Sequence, residues 1–245
     1  MAIDVAENLT KVLNRVQRAA RKAGRDPAEV TLVAAAKGVD PKSIRSAISA
    51  GARIFGENYV QEAREKIEKI RRKHIKWHFI GHLQKNKAKY AVELFDVIQT
   101  IDSIELAKAL SRKATKPLDV LVEVNIAREK TKAGVAPKKV SKLIRDMAGL
   151  ENLRIRGLMA MPPFQENPEM ARPYFITLRR IAERINRERI PGVFLNELSM
   201  GMSHDFEVAI EEGATMIRVG TAIFGERDGA GPKGAKGAKG AKKGK

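Results

Sequence analysis

The chain has 245 residues, 43% of them apolar, with 47 lysines and arginines against 29 acids and a net charge of +18. That is enough for one large α/β core or two small ones. It contains no apolar run of the ~18 residues a membrane span needs, and its lack of cysteine excludes disulfides and thiolate metal sites. The opening Met1-Ala-Ile-Asp4 lacks the basic, apolar, then small-residue order of a secretory leader, so a cytoplasmic protein is expected.

Helical spacing of apolar residues over 5–23 predicts a leading helix. A strand follows at 30–36, then a helix over 41–50, with Pro41 where a first turn tolerates proline and Gly51 where helices stop. The next strands are expected at 52–55, 77–80, 97–100 and 119–124, with helices over 61–72 and 103–114. Pro137 and Gly149 frame a helix over 137–148. After it come strand 154–161, helix 168–189, strand 193–199, helix 204–212 and strand 216–219. The order of helix, glycine and strand in Ala50-Gly-Ala-Arg-Ile-Phe55 is echoed by Glu212-Gly-Ala-Thr-Met-Ile217. Near-continuous apolar strands such as Val120-Leu-Val-Glu-Val124 suit a parallel sheet covered by helices.

Eight strands alternating with helices give an α/β chain built as a single (β/α)8 TIM barrel with an extra N-terminal helix. A doubly wound open sheet is the alternative. The barrel is expected to take residues 1–228. Residues 229–245 hold six lysines and no acid, which leaves +12 on the rest of the chain. This Gly/Ala/Lys segment has nothing to form a core and is expected to be a disordered tail, able to attract polyanions weakly.

Barrel sites form at the C-terminal ends of the strands. Lys37 ends the run Thr31-Leu-Val-Ala-Ala-Ala-Lys37 and is followed by Gly38. A poorly solvated amine there has a lowered pKa, and a neutral lysine amine forms Schiff bases with carbonyls. A strand-end lysine reaching into water is the plainer alternative. The ends of strands 7 and 8 carry Ser199, Gly201, Ser203, Gly220 and Thr221. Glycine amides and hydroxyls at that corner suit a phosphate, aided by a helix starting near His204, although each turn alone is better read as a turn capped by Ser or Thr. A carbonyl-reactive lysine and a phosphate cradle at one barrel mouth point to pyridoxal 5′-phosphate as cofactor. Arg218 would face the pyridine nitrogen, where a group that only donates keeps that nitrogen unprotonated. Asn58 is a candidate for the ring's phenolic oxygen, or simply a turn residue.

Several segments carry a resemblance: Ala35-Ala-Lys37-Gly-Val-Asp-Pro41, Phe55-Gly-Glu-Asn58-Tyr-Val-Gln61-Glu62 and Trp77-His-Phe-Ile-Gly-His82-Leu-Gln-Lys-Asn-Lys87. To these add Gly157-Leu-Met-Ala-Met-Pro162, Leu198-Ser-Met-Gly-Met-Ser203-His-Asp-Phe-Glu207 and Arg218-Val-Gly-Thr-Ala-Ile-Phe-Gly225. Over about residues 5–227 the chain resembles the YggS/PROSC family of pyridoxal phosphate homeostasis proteins. The resemblance implies a barrel of the alanine-racemase N-terminal type (fold type III) with the cofactor on Lys37. It implies phosphate contacts from Ser203, Gly220 and Thr221, with Ser199 a weaker candidate, and Arg218 at the ring nitrogen. His204 departs from the acidic or small residue usual at its position.

The function then expected is vitamin B6 balance: holding pyridoxal phosphate for buffering or delivery to PLP-dependent apoenzymes, without catalysis and as a monomer. An amino-acid racemase is one alternative; in the alanine-racemase family its second acid/base is a tyrosine from an extra domain. Here Tyr59, Tyr90 and Tyr174 all fall within the barrel. A nucleic-acid-binding protein acting through the basic tail is the other. His78 and His82 have a metal-like spacing but straddle a strand end and loop, so no metal is expected. Met159, Met161, Met200 and Met202 are expected to pack around the ring.

Overall fold

The computed structural model describes residues 3–129 and 131–226; the segment 229–245 lies outside them. Helix α1 (Val5–Lys22) starts where the Asp4 carboxylate accepts the Glu7 amide, and buries Val5, Leu9, Val12, Val16 and Ala19 at three-to-four-residue spacing. Strands and helices then alternate: β1 (Thr31–Ala35), α2 (Pro41–Ser49), β2 (Ile54–Glu57), α3 (Val60–Ile70), β3 (Lys76–Phe79), α4 (Ala88–Leu94), β4 (Val97–Ile101) and α5 (Ile104–Lys113). The second half continues with β5 (Leu118–Glu123), α6 (Val140–Ala148), β6 (Leu153–Met159), α7 (Arg172–Arg187), β7 (Glu197–Ser199), α8 (Phe206–Glu211), β8 (Met216–Val219) and α9 (Thr221–Phe224).

All eight strands pair in parallel with their sequence neighbours. β8 returns to β1, from Thr31 opposite Met216 to Ala34 opposite Val219, and closes the barrel. The open-sheet alternative is thereby excluded. α1 lies against α2, α8 and α9 and covers the barrel where the chain ends meet. Outward residues such as Val120, Val122, Ile217 and Val219 join the helices in the main core, whereas Leu121, Met159 and Met216 form a small cluster of their own. A strand's period of two accounts for this division.

Three elements differ from the sequence reading. α4 adds a seven-residue helix between β3 and β4. β7 spans only Glu197–Ser199 rather than 193–199, because the Asn186 side chain takes both the amide and the carbonyl of Leu195. A stretch whose backbone groups are occupied by a helix side chain has fewer left for a ladder. The helix expected from 204 begins at Phe206 and is only six residues long.

Candidate functional site

β1 and β8 are neighbours, and Val33 lies opposite Arg218. β1 ends at Ala35, two residues past Val33, and the turn that follows it carries Lys37, while the chain beyond Arg218 reaches Gly220 and Thr221 at the same end of the barrel. The fold thus brings Lys37, Arg218, Gly220 and Thr221 onto adjoining strand ends. Lys37 is half-buried, and its Nζ lies 5.2 Å from the centroid of the Tyr59 ring. Gly38 turns the chain away at once with φ +67°.

Arg218 is buried in the barrel and anchors a directional chain of hydrogen bonds. Its Nη2 donates to the Ala160 carbonyl at 2.9 Å and its Nη1 to Ser199 Oγ at 2.6 Å. Ser199 donates onward to Gln99 Oε1 at 2.6 Å, and Gln99 Nε2 meets His78 Nδ1 at 2.9 Å. Burial holds His78 down to about 4, with Lys76 adding to the effect, so at neutral pH its Nδ1 is free to accept the Gln99 donor. Burial also pulls Arg218 down to about 10, against the upward pull of Glu123 and Asp205, which still leaves the guanidinium charged at neutral pH. Ser199 is fully buried and engaged in this chain.

At the corner of strands 7 and 8, Ser203 Oγ accepts from the amides of Gly220 and Ala222, each at 3.3 Å. A hydroxyl and two amides converge at the start of α9, with the exposed Thr221 between them. The sequence pointed instead to the helix after Ser203. That helix opens with Asp205, whose carboxylate accepts the Met202 amide at 2.7 Å. Gly201 has φ +91°, and a Cβ there would meet Ala209 Cβ at 2.6 Å, so this corner admits only glycine.

Asn58 is half-buried on the β2–α3 link. Gly81 packs against it so closely that a Cβ would sit 2.3 Å from the Asn58 carbonyl oxygen and 2.6 Å from its Cα. Gly81→Ala is therefore expected to destabilise the chain by about 1–3 kcal/mol in urea titrations, because backbone must yield. Gly149→Ala, with nothing within 4 Å, is the control; equal stability of the two variants would show that Asn58 moves freely.

Asn58 also lines a cavity of about 440 Å³ beside the mouth, together with Tyr59, Gln61, His82, Gln84 and Lys87. The histidines part company: His78 is inside the barrel, whereas His82 is exposed and 3.5 Å from Asp102. The methionines do not form one group. Met159 is in the barrel cluster, Met200 in the outer core, and Met161 exposed. His204 stacks on Phe164 with ring centroids 5.1 Å apart and meets the Glu166 carbonyl at 2.9 Å. Sequence reasoning missed Gln99 and Glu123. Each is a polar residue in an apolar strand, which was the available signal. Glu123 is buried, and burial first, then Asp102, lifts its carboxyl to about 7.

The sequence profile of the alanine racemase N-terminal domain matches residues 8–228. The pyridoxal phosphate homeostasis protein of Aquifex aeolicus is 45% identical over 228 residues, which are 92% of this chain and 99% of that protein. The structure of PipY from Synechococcus elongatus with PLP bound superposes with a TM-score of 0.79 at 36% identity, over 90% of this chain and 100% of that one. The alanine racemase of Corynebacterium glutamicum shares the fold at 16% identity, TM-score 0.67, over 91% of this chain but 63% of its own.

Proposed function

We propose, for a chain that belongs to the alanine racemase N-terminal domain family and within it to the pyridoxal phosphate homeostasis proteins, that it binds pyridoxal phosphate on Lys37 and serves vitamin B6 balance. The observation that carries this reading is the β1–β8 register, which sets an amine, a charged guanidinium and a cluster of hydroxyl and amide donors at one end of adjoining strands. The donor set fits the cofactor's three polar ends. When bound, the cofactor supplies an electrophilic aldehyde and a pyridine electron sink.

Lys37 Nζ is the amine for that aldehyde. Ser203 Oγ, the Gly220 amide and the Thr221 hydroxyl hold the phosphate, and Asn58 serves the phenolic oxygen. Arg218 meets the ring nitrogen. Being protonated it can only donate, so it disfavours the ring protonation on which a strong electron sink depends. Ser199, considered from sequence as a phosphate ligand, is assigned here to hold Arg218 in place through the 2.6 Å bond.

The role is storage or delivery to apoenzymes, without catalysis of its own. A racemase needs acid/bases on both faces of the ring. Among the described residues the tyrosines are Tyr59, whose ring centroid is 5.2 Å from the Lys37 amine, and Tyr90 and Tyr174 on the helices α4 and α7, so none is assigned as a second acid/base. We place the protein in the cytoplasm as a monomer, with 1–228 as the barrel domain and 229–245 as an accessory polyanion contact. Among the described residues no helix is long and apolar enough to cross a membrane.

Adding pyridoxal phosphate to the purified chain is expected to give a visible absorbance band that borohydride bleaches. The same sample given L-alanine is expected to yield no more D-alanine than free cofactor does. Turnover well above that background would make the chain an enzyme, and a colourless sample would remove the cofactor reading altogether.

A further inference from the structure

The backbone on both sides of Lys37 is held from α3. Lys66 is buried, and its Nζ donates to the carbonyl of Ala36, the residue before Lys37, at 2.6 Å. Glu62, one helical turn earlier, accepts the amide of Gly38, the residue after Lys37. The two side chains are joined to each other, Lys66 Nζ to Glu62 Oε1 at 2.6 Å, and Lys66 also pairs with the buried Glu57 Oε1 at 2.8 Å. The Ala36 amide is fixed on the Gly56 carbonyl, and the Ala36 carbonyl takes the Val39 amide as well. A lysine with four rotatable side-chain bonds gains little precision from its own packing, so its amine is aimed chiefly by its backbone.

An ion group buried against β2 needs an explanation beyond stability, since an apolar set of the same shape is often no less stable. We propose that Glu62 and Lys66 are positioning residues that clamp the Lys37 peptide units and thereby set how long the barrel retains pyridoxal phosphate. The inference rests on the cofactor reading above and adds the device that controls release. With the clamp intact the amine returns to the aldehyde after each opening. With it broken the 36–38 turn wanders and the cofactor escapes. Glu62 and Lys66 touch neither ring nor phosphate in this account; they act through the backbone of Lys37.

The test compares Glu62→Ala, Glu62→Gln and the parent chain. Glu62 is 27% exposed, so its loss is tolerable, whereas Lys66→Met would remove the ammonium paired with the buried Glu57 and serves poorly alone. Loaded protein is mixed with an excess of a carbonyl trap such as an aminooxy compound, and loss of the visible band gives the release rate. Loss of a charge-assisted bond predicts release about tenfold faster or more in Glu62→Ala. Glu62→Gln keeps an acceptor for Gly38 and is expected to fall between. Melting temperatures of the cofactor-free chains should stay together. Parent-like release from Glu62→Ala overturns the proposal, as does acceleration that simply follows loss of melting temperature in both variants. If the parent chain itself binds no cofactor, the functional reading has failed. Hydrogen exchange at the Gly38 amide then decides the clamp: faster in Glu62→Ala supports it, unchanged refutes it.

Discussion

Replacing Lys37 with alanine is expected to abolish the visible band formed with pyridoxal phosphate, to leave no borohydride-fixed adduct, and to weaken binding about a hundredfold, or ~2.7 kcal/mol. The loss is large because the covalent link disappears, and finite because the Ser203 corner and Arg218 remain. Lys66 is the amine nearest in sequence logic to replace it, one bond from Ala36, yet its donors are taken by Ala36, Glu57 and Glu62 within a buried site. It cannot reach the mouth without breaking all three. The variant should also melt with the parent when both are free of cofactor, because Lys37 is only half-buried and outside the apolar core. Equilibrium dialysis and peptide mass mapping after reduction check this. An adduct that persists in Lys37→Ala and maps to another lysine would move the site.

The barrel was readable because its strands and helices differ in period and its boundaries carry prolines and glycines. Pro41 does open α2 and Pro137 the turn that leads into α6, and the strand ends that Lys37 and Gly220 follow are marked by where the apolar runs stop. What a linear sequence hides is competition for backbone groups and pairing at a distance. Nothing local says that Asn186 will satisfy Leu195 and shorten β7, or that Asp205 will occupy the entrance of α8 so that the amides meeting Ser203 come from α9. α4 escaped because seven residues after a basic turn give too little periodicity. The Glu62–Lys66 clamp lay within the segment 61–72 expected as a helix, where an i, i+4 acid–base pair reads as an ordinary surface pair. Its difference from one is burial, which only the packing of α3 on β2 reveals.

Glu123 is expected to make the cofactor-free barrel less stable as the pH rises. Its carboxyl lies near 7, raised chiefly by burial and next by Asp102, with Arg218 and His82 pulling the other way. In the unfolded chain it titrates at the ordinary 4.5. Between those values the folded chain keeps a proton that the unfolded chain has released, so stability falls with rising pH across that window and is fully reduced above 7. A rise from 4.5 to about 7 corresponds to about 3 kcal/mol. Asp40, Glu169, Glu188 and Glu211, held below their usual range by hydrogen bonds and cationic partners, contribute the opposite slope at lower pH. The comparison that isolates Glu123 is therefore with Glu123→Gln, in which those groups cancel. The variant should match the parent below pH ~4.5 and exceed it by about 3 kcal/mol near pH 8 in urea titrations. A difference that does not change with pH would mean that Glu123 titrates alike in the folded and unfolded chains. Its neutral form also matters to the site, because an uncharged Glu123 does not compete for the Arg218 guanidinium that Ser199 and Ala160 hold in place. Above pH 7 that competition begins, and the cation proposed to face the ring nitrogen acquires a second, charged claimant.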